Sequence, residues 1–198
     1  MLVPESVLFV GDGSRWSGLA SDYLTSVFSK VDSVFWDHGE GPVPEIVSSW
    51  SGDYIFCFKA DLLLSPELLS RTRKKAINFH PCPPRYRGVG GYYYAIADRL
   101  SEFGVTCHHI VQKIDSGPII KVQRFPVAPG ETAKGLIDRA AAYLLLLFYE
   151  IMHLIQSGAK LPAADESWGT RLHTRKMLQE FLEAGALDGP VVAAEKSA

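Results

Sequence analysis

Lys75-Ala76-Ile77-Asn78-Phe79-His80-Pro81 reads as a short strand: its side chains alternate up to His80, and the run stops against Pro81, Pro83 and Pro84. Outward from it the chain repeats one order. Strands are expected at residues 7–10, 33–36, 54–58 and 76–79, with helices at 17–29, 44–50 and 66–70 between them and another at 92–100. Two more strands, 106–111 and 119–125, flank the turn Asp115-Ser116-Gly117-Pro118, and a long helix over 132–156 closes the unit. This alternation predicts an α/β fold, a mostly parallel twisted sheet flanked by helices on both faces. Open sheets of that kind bind ligands outside the carboxyl ends of their strands, where Asn78 and His80 fall.

The polar groups at this rim suit the transfer of an acyl group to an amine. Asn78 cannot act as a base, but its side-chain N–H can donate to an oxygen that becomes negative when a carbonyl carbon turns tetrahedral. His80 can handle protons, and Asp115 can orient a neighbouring imidazole. His108, seven residues before Asp115 on an adjoining strand, is expected to support that carboxylate, with His109 on the opposite face in a structural role. Each residue alone has a plainer reading, a turn cap for Asn78 and a satisfied loop histidine for His80.

Composition sets bounds on the partners. The 198 residues, 47% of them hydrophobic, suffice for one domain with a sizeable core, expected over residues 1–180, with a mobile tail at 181–198. Twenty basic and twenty-two acidic residues give a formal charge of −2 with no basic block, which argues against a nucleic-acid partner. Cys57, Cys82 and Cys107 lack metal-ligand spacing and are odd in number, so neither a metal site nor a disulfide framework is expected, and a reducing cytoplasm fits best. No signal peptide is apparent at the amino terminus. The apolar run 140–149 is half of what a bilayer needs and reads as a buried helix, so no membrane partner is expected. A homodimer is one assembly left open.

Asn78-Phe79-His80-Pro81, Pro84-Arg85-Tyr86-Arg87-Gly88, Gly104-Val105-Thr106-Cys107-His108 and Asp115-Ser116-Gly117-Pro118-Ile119-Ile120 together resemble the formyltransferase family that uses 10-formyltetrahydrofolate. The likeness spans residues 7–176 and is most specific over 77–120. It implies a Rossmann-like formyltransferase fold and a catalytic set of Asn78, His80 and Asp115, assisted by His108. Formyl would pass from 10-formyltetrahydrofolate directly to a primary amine through a tetrahedral intermediate, with no metal. The same likeness puts Leu62 and Leu64 on the folate wall, with Ile114 and Gly117 opposite.

Acceptor contacts are expected at two places. The turn Gly11-Asp12-Gly13-Ser14 could hold phosphate through backbone N–H groups at Gly11, Gly13 and Ser14, although it lacks the third glycine or the lysine of stronger phosphate motifs. Arg85, Arg87 and Tyr92 suit a nucleotide, by bidentate pairing and by stacking. The Trp168–Lys176 stretch is similar to the end of the catalytic domain in sugar formyltransferases, while Thr174 also makes a sound helix cap. A nucleotide-linked amino sugar is therefore the favoured small-molecule acceptor. The runner-up is glycinamide ribonucleotide, and the reading from another class is a folate- or nucleotide-binding protein without turnover. Methionyl-tRNA enzymes resemble the core but would be expected to bring a further domain and a basic surface. Where many members have Ser-Leu-Leu after His-Pro, this chain has Cys82-Pro83-Pro84, which reshapes the acceptor side; Cys82 has no paired base to make it a nucleophile.

Overall fold

A computed structural model describes residues 2–39 and 41–185. Strand β1 (Val3–Gly11) leads through helix α1 (Arg15–Val27) to β2 (Phe28–Phe35), and α2 (Glu45–Ser49) leads on to β3 (Gly52–Phe58). Helix α3 (Pro66–Ser70) precedes β4 (Thr72–His80), which is followed by the two-residue strand β5 (Arg87–Gly88) and helix α4 (Gly91–Ala97). Strands β6 (Glu102–His109) and β7 (Ile119–Pro126), helix α5 (Ala133–Gln156), strand β8 (Leu172–His173) and helix α6 (Arg175–Glu183) complete the order.

Six strands form one sheet in the order β2-β1-β3-β4-β6-β7. The first four are parallel, while β6 and β7 are antiparallel to their neighbours. This is the expected α/β fold with a mainly parallel sheet. Both faces are covered, which is why Val7-Leu8-Phe9-Val10 is apolar throughout and not alternating. Val7 and Phe9 join Phe56, Phe58, Ile77 and Phe79 under α1 and α5, while Leu8 and Val10 join Ile55, Val47, Trp50 and Leu68 on the α2–α3 side. Phe148 of α5 makes edge contacts with Phe9, Phe56, Phe58 and Phe79, so one ring ties the helix to three strands. No helix among the described residues is long and apolar enough to cross a membrane.

Boundaries differ from expectation where tertiary packing decides. The helix read as 17–29 ends at Val27, because Phe28 turns inward as the first residue of β2 and packs on Tyr54 and Phe56. Helix α3 begins where Ser65 and Pro66 predict, the Ser65 hydroxyl accepting from the Leu68 N–H at 3.2 Å. Thr174 caps α6 in the same way, accepting from the Met177 N–H at 3.2 Å. That helix continues past residue 180, with Phe181 against Tyr94 at 4.7 Å between ring centroids. Of the segment expected to be a tail, residues 186–198 lie outside the described residues.

Candidate active site

Strand alternation places Asn78 and His80 on one face of β4 while Phe79 between them is buried against Phe148 at 4.8 Å. Antiparallel pairing of β4 with β6 sets His108 directly opposite Asn78. The loop after β6 then returns Asp115 to the same spot. Asn78 Nδ2 lies 3.1 Å from His108 Nε2 and 3.4 Å from Asp115 Oδ1, and those two atoms are themselves 3.4 Å apart.

Hydrogen-bond accounting assigns the imidazole protons. Tyr86 carbonyl can only accept, so His80 Nε2 donates to it at 2.8 Å and Nδ1 is left facing Asp115 Oδ2 at 3.4 Å. His108 Nδ1 donates likewise to the His109 carbonyl at 2.9 Å, and its Nε2 faces both Asn78 Nδ2 at 3.1 Å and Asp115 Oδ1 at 3.4 Å. Neither ring therefore holds a nitrogen clear of protein partners. Asp115 is buried, which pushes its carboxyl up, but the charge of His80, the hydrogen bond and charge of His108 and the Gly88 N–H outweigh burial and hold it well below the usual carboxylate range. It stays ionised through the neutral range.

Asn78, His80, His108 and Asp115 line a cavity of about 560 Å³, together with Leu62, Leu64, Ile114 and Tyr92. Leu63 beside them is 71% exposed, and Val111 and Ile114 on the facing loop are also exposed. Among the described residues, two of the three non-glycine residues with positive φ flank this cavity, Lys59 at +52° and Asp115 at +40°. Cys57 and Cys82 reach it as well, but burial pushes the Cys57 thiol up to about 12 and the Cys82 thiol higher still, so neither is a thiolate at neutral pH.

Six other expected contacts are not brought to the cavity. Gly117 is buried in the sheet margin, where an added Cβ would collide with the His109 carbonyl, and its own carbonyl accepts from Trp168 Nε1 at 2.7 Å. Gly11 is packed on Ser17 and Phe9. At the phosphate-like turn the donors already have anions: Gly13 N–H goes to Asp37 Oδ2 at 3.0 Å, and Ser14 N–H and hydroxyl go to Asp12 Oδ1 at 3.3 and 2.6 Å. Lys59 neutralises Asp12 across 2.8 Å and, against the burial that pushes the carboxyl up, keeps it lowered. Arg85 pairs with Asp98 at 3.1 Å and borders a separate, smaller hollow. Arg87 spends its guanidinium on backbone carbonyls, Asp115 at 2.7 Å and Ile114 at 2.8 Å among them.

Several participants are not among the site residues expected from sequence, although the Trp168–Lys176 stretch is one whose likeness to sugar formyltransferases the sequence shows. Gly88 N–H donates to Asp115 Oδ2 at 2.8 Å, and Trp168 packs edge-on to His108 with centroids 4.8 Å apart. The Asp12–Lys59 pair and the 172–175 segment form other parts of the cavity wall. Trp168 could be flagged by its likeness to sugar formyltransferases, but no local pattern announces a backbone N–H on a carboxylate or an ion pair between residues 47 positions apart.

Residues 39–144 match the family model described as Formyl transferase. A methionyl-tRNA formyltransferase of Chlorobium chlorochromatii (strain CaD3) is 38% identical over 98 residues, covering 49% of this chain and 31% of that protein, so the chain matches under a third of this relative's length. Among solved structures, an N-formyltransferase of Helicobacter canadensis in complex with folinic acid and dTDP-3-aminofucose superposes with a TM-score of 0.70 at 19% identity, over 89% of this chain and 72% of that one. The formyltransferase PseJ of Anoxybacillus kamchatkensis, in complex with UDP-4,6-dideoxy-4-formamido-L-AltNAc and tetrahydrofolate, gives 0.67 at 20% identity over 90% of each chain. At such identities the likeness is one of fold.

Proposed function

This chain belongs to the formyl transferase family, and on that premise we propose that it moves a formyl group from 10-formyltetrahydrofolate to the primary amine of a nucleotide-linked amino sugar. The observation that carries the reading is the meeting of Asn78, His80, His108 and Asp115 at one cavity. A folate donor fits the apolar rim: exposed Leu63, Val111 and Ile114, with Leu62 and Leu64 beside them, would be covered by a flat heterocycle. When bound, it supplies the formyl group and departs as an amine.

Within the chain, the Asn78 amide lines the cavity and is the group able to donate to an oxygen that gains negative charge. Ionised Asp115, with His80 Nδ1 alongside, is the group able to receive a proton from an attacking amine. The amino-sugar acceptor rests on the solved structures, two of which contain a nucleotide sugar beside a folate. Glycinamide ribonucleotide, the runner-up, would need its phosphate at the 11–14 turn, whose donors are occupied by Asp12 and Asp37. Incubation with formyl donor and a panel of nucleotide amino sugars, glycinamide ribonucleotide and simple amines, read by mass spectrometry for a gain of formyl, tests the reading. Formylation of the sugar nucleotide by wild type and none by His80→Ala is expected. Wild-type turnover in His80→Ala would show that the site is elsewhere, and binding without any product would favour a non-catalytic protein.

A further inference from the structure

Asp115 presents its carboxylate from a left-handed backbone conformation, φ +40°, that is uncommon for a residue with a Cβ, though more accessible to Asp than to most. Arg87 grips the turn that holds it. Its Nε donates to the Asp115 carbonyl at 2.7 Å, Nη2 to the Ile114 carbonyl at 2.8 Å and Nη1 to the Gly169 carbonyl at 3.4 Å. This guanidinium is partly buried and has no carboxylate partner among the described residues. It draws together consecutive carbonyls that an ordinary extended loop would point apart.

The adjoining residue completes the grip, since Gly88 N–H donates to Asp115 Oδ2 at 2.8 Å. Arg87 and Gly88 thus hold residue 115 at its main chain and at its side chain. Strand β5, which carries both, is itself anchored by pairing with β8, by Val89 N–H on the His173 carbonyl at 3.0 Å and by His173 Nδ1 on the Arg87 carbonyl at 3.3 Å. We propose that Arg87 is a positioning residue for formyl transfer: it fixes the 114–115 turn so that the Asp115 carboxylate reaches Asn78, His80 and His108, and it does not bind the acceptor. The proposal rests on the reading of Asp115 as part of the transfer site.

A lysine in its place would keep the charge but lose the planar fork that spans two carbonyls. In the full chain, Arg87→Lys and Arg87→Ala are therefore expected to lower kcat by about a hundredfold, the scale of a small misplacement of a reacting group. The KM of donor and acceptor should stay within about twofold, because no uniform binding is lost. Added guanidinium should restore part of kcat to Arg87→Ala. Faster hydrogen exchange at the Gly88 amide of Arg87→Lys, measured by NMR, is expected as the carboxylate is released. Wild-type kcat in folded Arg87→Lys, or a raised acceptor KM at unchanged kcat, would overturn the proposal. Should wild type transfer no formyl at all, the function reading fails instead, and an unchanged Gly88 exchange rate in Arg87→Lys would separately sink the clamp.

Discussion

Asn78 is the residue whose side chain matters most, because it lines the cavity while both ring nitrogens of His80 and His108 and both oxygens of Asp115 already face protein partners. Asn78→Ala is expected to reduce kcat by about 10²–10³, the usual loss for one donor to a developing oxyanion, with acceptor KM little changed in steady-state assays. Asp115 makes a separate prediction through pH. Its folded carboxyl lies below the unfolded value, so its contribution to stability is complete above about pH 4 and declines as the pH falls from there toward the folded value. Denaturant melts of wild type and Asp115→Asn should therefore differ at pH 7, and the difference should begin to narrow on acidification to pH 3. The identities of these residues were legible in sequence, because an amide, two imidazoles and a carboxylate at strand ends have few plain uses together. What they bond to was not. Arg87 and Arg85 suggested phosphate binding from residue type alone, yet a guanidinium satisfies carbonyls equally well, and only the tertiary course of 114–115 and 169 shows which it meets.

At the scale of elements, the β5–β8 ribbon orients the site although it is only two residues wide on each side. Gly88 is at φ +83°, and a Cβ there would run into the His173 carbonyl, a backbone atom with no room to yield. Gly88→Ala should therefore cost about 2 kcal/mol or more through strain and collision together, seen as a lowered urea midpoint at unchanged slope. Formyl transfer should fall with it, since the same residue holds the Asp115 carboxylate. Such a ribbon has no periodic signature: two residues make neither an alternation nor a helical face, and their partners are distant in sequence. Longer elements were readable for the opposite reason. Buried strands β1 and β3, capped α3 and the long α5 carry apolar runs or caps that local rules decode, whereas the α1–β2 junction at Phe28 was fixed by aromatic contacts from another strand.

Across the whole molecule, the parallel strands bring four carboxyl ends to one rim while antiparallel β6 delivers His108 from the other direction. The cavity therefore draws its walls from β3, β4, β5, β6 and the 172–175 segment, and a ligand that fills it bridges parts of the chain that are otherwise joined mainly through the sheet. Binding there must couple to global unfolding. A folate donor at a hundred times its Kd should add about 2.7 kcal/mol of stability, and for a domain of this size that corresponds to a Tm rise of about 5–10 °C. Differential scanning fluorimetry with increasing folate checks it, and the rise should persist in Asn78→Ala, where chemistry fails but the apolar rim is intact. Glycinamide ribonucleotide should leave Tm nearly unmoved, because its phosphate would have to displace Asp12 from Ser14 and Lys59 or Asp37 from Gly13. A large shift with that ligand would mean that the carboxylates yield their donors, and would return the runner-up acceptor to first place.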